Sequence, residues 1–288
     1  MFPTALVLSL MSHADGVKPR PRHELVMRAV HPIVGPGVRM LSRLGLEPWQ
    51  VVVSHGVLAA VAAALIALGS QPALVVAALL LQARTVLDNL DGALARATGR
   101  VTELGRYLDT GVDLLGNACL FVALATHGPW WAALSGFVVL MLLLTYDFNA
   151  ERLYREAHGE APRVHSPEPA QVGIPASPGL RFFRGLYAHL LAPQDQAVRT
   201  LERRLLESAS GKALDDVSPA ERRSWWGLAS TASLVNLGLS TQNLALGVCL
   251  VLGRPFAYVW LVLAQGVYLV LVLIIRYGAH RRRRGSLS

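Results

Sequence analysis

Six stretches of mostly apolar residues, at roughly 49–68, 73–94, 105–126, 130–149, 228–251 and 255–276, decide what this chain can fold into. Each has about the 20 residues that a helix needs to cross a bilayer core about 30 Å thick. In lipid the backbone polar groups must bond within the segment, so such runs predict an all-α fold, a six-transmembrane-helix bundle. Composition agrees: only 16% of the 288 residues are charged, against about 25% in globular domains.

The basic residues set the orientation. The connections 69–72 and 127–129 hold no Lys or Arg, and 252–254 holds only Arg254, whereas Lys18, Arg20, Arg22, Arg28, Arg100 and Arg281 to Arg284 lie in the alternate segments. The positive-inside bias then predicts both termini in the cytoplasm, and a bacterial inner membrane is the expected location. The net charge of +8 follows this distribution, so no nucleic-acid partner is expected. The arginine tail reads as topogenic charge, with anionic-lipid binding as the alternative. Cys119 and Cys249 both fall inside spans and imply no disulfide framework. The first dozen residues lack a basic region ahead of their apolar stretch, so no signal peptide is expected, and Met11 is an alternative initiator.

The predicted organisation is a flexible cytoplasmic N-terminus (1–23), an interfacial amphipathic helix (24–47), transmembrane helices 1 to 4 (48–150), a cytoplasmic insert (151–226), helices 5 and 6 (227–277) and a basic tail (278–288). Pro32 and Gly35-Pro36 interrupt the amphipathic segment, which reads as one or two short helices on the membrane surface. Prolines 162, 167, 169, 175 and 178 exclude a continuous helix early in the insert, while Leu201, Leu205 and Leu206 predict a surface helix over 194–208. A solvated extension is expected there rather than a partner-binding element.

Spans two and three carry Asp88, Asp91, Asp109 and Asp113. A charged side chain near the middle of a span costs about 2.5–3.5 kcal/mol on insertion scales, so four of them mark a functional site. On a helix Asp88 and Asp91 lie about 60° apart, and Asp109 and Asp113 about 40° apart, so each pair shares one face. Both pairs stand within about two to three turns of the 97–104 connection, and they converge on a pocket open to the cytoplasm. Convergent carboxylates repel unless cations neutralise them, and hard oxygen ligands suit Mg²⁺ or Mn²⁺. A two-metal site for phosphoryl displacement is the natural inference. Gly92, Ala95 and Gly105 keep the adjoining surface free of bulk where a nucleotide approaches, and Arg96 is placed to meet phosphate.

Asp88, Asp91-Gly92, Ala95-Arg96, Gly105, Asp109 and Asp113, with their intervals of two, two, eight, three and three residues, match the pattern of the CDP-alcohol phosphotransferase family at every fixed position. The chain resembles that family also in its six spans and in the surface helix before span one. The resemblance implies that Asp88, Asp91 and Asp109 are metal ligands and that Asp113 is both ligand and general base. It further implies that Gly92, Ala95, Arg96 and Gly105 line the cytidine nucleotide, and that the protein is a homodimer. In the family an alcohol oxygen attacks the phosphate remote from cytidine and CMP leaves. Many members open span one with Pro-Asn and a Thr three residues on; here Trp49 and Val52 stand in those places, which removes two polar contacts near the nucleotide.

Arg84 lies one turn before Asp88 and needs a buried partner, or else reaches a substrate phosphate. Arg106, Arg152 and Arg155 are candidate acceptor or phosphate contacts, as are Asp147 and Asn149 at the end of span four, where a membrane boundary also collects polar residues. Asn117 is expected to orient the Asp113 carboxylate, and His55, Asn236 and Gln265 to bond between helices. The expected reaction moves a phosphatidyl group from CDP-diacylglycerol to a polar alcohol or polyol phosphate, with membrane lipids around it. The alternative within the family joins a soluble CDP-alcohol to diacylglycerol. A cation-coupled transporter is the alternative outside it, although its expected inverted repeats are not evident.

Overall fold

The computed structural model describes residues 25–159 and 178–285. Expectations for the N-terminal residues up to 24, for the prolines 162 to 175 and for Met11 lie outside them. Among the described residues the chain is helical with no strand, and six helical segments are long and apolar enough to cross a membrane. The chain is a multi-pass integral membrane protein.

Helix α1 (Leu25–Arg43) is one continuous helix through Pro32 and Pro36, not two. Its stripe of Val30, Val34, Val38 and Leu41 is buried against Val51, Leu90, Ala93 and Leu94, and these contacts hold the helix together across its prolines. Next, α2 (Pro48–Leu68) opens with a capping box: Glu47 caps the Gln50 backbone, and the Gln50 side chain accepts from the Glu47 N–H. It stops where Gly69 takes a left-handed φ of 71°. Helices α3 (Gln71–Ala97) and α4 (Glu103–Leu124) follow, and α2 packs chiefly on this pair.

Small residues set that packing distance. A β-carbon at Gly56 would stand 2.5 Å from Val112 Cγ1, and one at Gly116 would stand 3.0 Å from Ala59 Cβ. Without a hydrophobic force between helices in lipid, such close approach is what draws spans together. The α3–α4 connection is fixed at both sides: Arg100 pairs with Glu47 at the foot of α2, and Thr102 caps α4 by accepting from Gly105 N–H at 3.0 Å. At a rise of about 1.5 Å per residue, Asp91 and Asp109 then each lie about 9 Å from the connection. The cap therefore sets the depth at which the acids meet.

Helix α5 (Trp130–Ala157) continues beyond the span boundary expected near residue 150. After it, α6 (Pro178–Leu186), a π-helical turn (Tyr187–Leu191) and α7 (Ala192–Ser210) form one rod. The expected surface helix lies within α7, but its setting differs from a solvated extension. Glu202 is buried and accepts from the indoles of Trp225 and Trp226 at 3.0 and 3.1 Å, from the Tyr146 hydroxyl and from Arg276. Leu201, expected on the apolar face, is exposed, while Leu206 is buried.

The fifth span is broken. The apolar segment Pro219–Val251 comprises α8 (Pro219–Trp225), α9 (Leu228–Val235) and α10 (Leu239–Val251), with Gly238 extended between the last two. An interruption at this depth requires partners for the freed backbone groups. Gln242 Nε2 supplies one by donating to the Leu237 carbonyl at 3.0 Å, and the same amide group bonds to Gln265 and Tyr258 of α11 (Ala257–Gly285). Gln265 thus bonds between helices as expected, and the Asn236 amide donates to the Ala232 carbonyl at 3.0 Å.

Candidate active site

Asp88 and Asp91 on α3 and Asp109 and Asp113 on α4 do converge, and His55 of α2 stands between them. Its Nε2 lies 3.3 Å from Asp91 Oδ2 and 3.7 Å from Asp109 Oδ1, and its Nδ1 lies 3.9 Å from Asp113 Oδ1. His55 is fully buried, and neither ring nitrogen has a hydrogen-bond partner of good geometry; Asp91 Oδ2 and Asp109 Oδ1 also lack one. Buried polar atoms left unpartnered are expensive, which points to a group that belongs among them. His55, Asp88, Asp91 and Asp109 each offer a ligand atom, all within 4.8 Å of one another, so the donor set fits a divalent cation. His55 was expected to bond between helices, and its contacts do run from α2 to α3 and α4; that its partners there are the clustered carboxylates is what the sequence did not show.

Arg84 has no exposed surface. Its Nη2 donates to Asp113 Oδ1 at 2.9 Å and its Nη1 to Asn117 Oδ1 at 3.1 Å. It is a fixed cation behind the acids, one helical turn from Asp88. Asn117 touches the Asp113 carboxylate through this guanidinium rather than directly.

Two cavities flank the cluster and share Asp109 and Thr110. The first, about 440 Å³, is lined by Asp91, Gly92, Ala95, Arg96, Gly105 and Arg106, together with Trp49, Val52 and Arg100. All four residues expected at the nucleotide therefore face one space. A β-carbon at Gly92 would stand 3.2 Å from Arg96 Nη1, so the guanidinium comes close to the backbone there. The second cavity, about 300 Å³, is lined by Asp88, Asp109, Asp113 and Asn117, and by residues of α5, the π-helical turn, α7 and the break in span five. Arg152 and Arg155 are not among its lining residues; they pair along α5 with Glu156 and Glu151, each at 2.8 Å.

The family model for CDP-alcohol phosphatidyltransferases matches residues 49–174, a stretch that contains both aspartate pairs and the glycines between them. This stretch is similar to that family. Within the phosphatidyltransferase segment lie His55, Arg84, Asn117 and the whole wall of the first cavity except Glu47 and Pro48. An archaetidylinositol phosphate synthase of Pyrococcus horikoshii is 34% identical over 90 residues, 31% of this chain and 46% of that protein. An uncharacterized protein of Aquifex aeolicus is 35% identical over 92 residues, 32% of this chain and 46% of its own. The chain thus spans about half the length of the curated relatives it matches. Tyr187, Leu191, Asp195 and Ser240 of the second cavity lie beyond the phosphatidyltransferase segment.

Proposed function

We propose that the protein is a metal-dependent CDP-alcohol phosphotransferase of phospholipid synthesis, which moves a phosphatidyl group from CDP-diacylglycerol to an alcohol hydroxyl and releases CMP. The observation that carries this reading is the arrangement of two cavities meeting at Asp109 across a carboxylate cluster. In-line displacement needs a donor on one side of the reacting phosphorus and a nucleophile on the other.

In this reading the first cavity holds the cytidine diphosphate portion. Trp49, half exposed on its wall, takes the position that is Asn in many family members and offers a ring face to the base. Arg96, Arg100 and Arg106 supply charge-assisted donors to phosphate oxygens. Asp88, Asp91 and Asp109 would hold Mg²⁺ or Mn²⁺, with Asp113 as a further ligand if two ions bind, and His55 would add a nitrogen donor. Such ions, when bound, would supply charge neutralisation at the reacting phosphate and at the leaving oxygen.

The acceptor occupies the second cavity. With one oxygen of Asp113 held by Arg84, its other oxygen takes the proton of the acceptor hydroxyl. The deprotonated oxygen forms a bond to the phosphorus remote from cytidine, the bond from that phosphorus to the bridging oxygen breaks, and CMP leaves with the electron pair. The positive-inside distribution supports a site and termini on the cytoplasmic side, and the family resemblance supports a homodimer. The experiment is CMP release by the purified protein from CDP-diacylglycerol, with Mg²⁺ or Mn²⁺, across a panel of alcohols. Metal-dependent release into a lipid product supports the reading, and no release with any acceptor removes it.

A further inference from the structure

The two cavities differ in charge, the first setting three arginines against three carboxylates and the second having only carboxylates among its charged lining residues, and we infer that the second selects an acceptor without a phosphate group, a neutral polyol or an amino alcohol. This rests on the transferase reading above and names its acceptor class. Arginines gather on the first cavity, whereas no Lys, Arg or His is among the residues lining the second. Asp88 and Asp109 line the second cavity from the group that would hold a cation, which would offset them, and Asp113 is paired with Arg84. Asp147 and Asp195 line it as well, and neither belongs to the group of closely spaced ligand atoms.

Asp195 Oδ1 accepts from the Asn149 amide at 2.7 Å, a partner that brings no positive charge. Asp147 lies against the break in span five, where a β-carbon at Gly238 would stand 2.8 Å from its Oδ2. A phosphorylated acceptor would bring further negative charge beside the Asp195 carboxylate, and like-charge juxtaposition selects strongly against a ligand.

Asn117 says what the cavity takes instead. It is 3% exposed and lines the cavity, and its Oδ1 is occupied by Arg84 Nη1, which fixes the amide so that Nδ2 is the free donor. That Nδ2 has no partner within the protein. A buried N–H next to the Asp113 carboxylate suits a hydroxyl oxygen, and Tyr187 and Ser240 add hydroxyl groups to the same wall. The wall formed by Tyr187, Asp195 and Ser240 lies beyond the matched segment, so this part of the cavity is outside the family match.

The test compares matched acceptors on the purified full chain with CDP-diacylglycerol and Mn²⁺: glycerol against glycerol 3-phosphate, inositol against inositol phosphate, and ethanolamine as an amino alcohol. The expected result is a kcat/KM for the better unphosphorylated acceptor at least about tenfold above that of any phosphorylated one, the discrimination that like-charge repulsion supplies. Asp195→Asn should narrow that ratio and Asp195→Glu should preserve it, a readout that general loss of folding does not mimic. A preference for the phosphorylated member of each pair overturns the inference and leaves the transferase reading standing. An unchanged ratio in Asp195→Asn overturns the part assigned to Asp195. Failure of every acceptor to release CMP overturns the transferase reading itself.

Discussion

Arg84 donates to Asp113 Oδ1 at 2.9 Å from a position with no exposed surface, so a fixed guanidinium stands directly behind the carboxylate assigned as base. Removing one partner of a buried ion pair typically costs about 3–5 kcal/mol, because the other charge is left uncompensated. Arg84→Ala should therefore lower the unfolding temperature in detergent markedly. Arg84→Lys should recover much of that stability, yet lose the fork that also binds Asn117, and so recover less of the CMP release. Equal rescue of stability and activity by lysine would show that only the charge matters.

His55 supplies a different expectation. If its unpartnered imidazole is a nitrogen donor to the metal centre, Mn²⁺ bound to the protein should show ¹⁴N modulation in pulsed paramagnetic resonance, and His55→Ala should abolish it. Mn²⁺ affinity should fall in that variant by at least about tenfold, since even outer partners of metal sites cost that much when lost. Mn²⁺ bound without any nitrogen coupling would place His55 outside the coordination sphere.

Glu202 joins α7 to the membrane bundle through Tyr146, Trp225, Trp226 and Arg276. Glu202→Ala leaves several buried donors unsatisfied at about 1–3 kcal/mol each, and should expose 178–210 to limited proteolysis well before the spans unfold. Proteolysis indistinguishable from that of the unaltered protein would mean that this junction is not what docks α7.

Gly111 of α4 faces Phe183 of α6, and a β-carbon there would overlap the ring. Gly111→Ala should displace α6 and the π-helical turn, with an overpacking cost of about 1–3 kcal/mol. Because Tyr187 lines the second cavity, the expected kinetic effect is a raised KM for the acceptor with little change for CDP-diacylglycerol. A change confined to the nucleotide substrate would contradict the assignment of the two cavities.

How much of this was legible in the sequence differs by residue. The spacing of Asp88, Asp91, Asp109 and Asp113 was enough, because helical periodicity and one short connection fix where the pairs meet. That Gly92, Ala95, Arg96 and Gly105 share one face beside the acids followed from the same periodicity, while a role toward a nucleotide rests on the family resemblance. His55 escaped because its partners lie on other helices and a lone histidine in a span has no periodic signature. The break at Gly238 escaped because an averaged apolar window passes over one Asn and one Gly. The packing of α6 and α7 on the site depends on pairs such as Gly111 with Phe183 and Asn149 with Asp195, whose approach is a tertiary event with no local pattern. Arg152 and Arg155 were candidates by position, and their pairing with Glu156 and Glu151 along α5 is visible only in the fold.

The most direct measurement of the central claim is CMP release from CDP-diacylglycerol by the unaltered protein and by Asp113→Asn, each with and without Mg²⁺ or Mn²⁺ in the best acceptor. The expected result is metal-dependent release by the first and, with the melting temperature retained, a loss of at least about a hundredfold in the second, the lower range for removing a general base. Release that persists in Asp113→Asn, or that ignores a chelator, would contradict it.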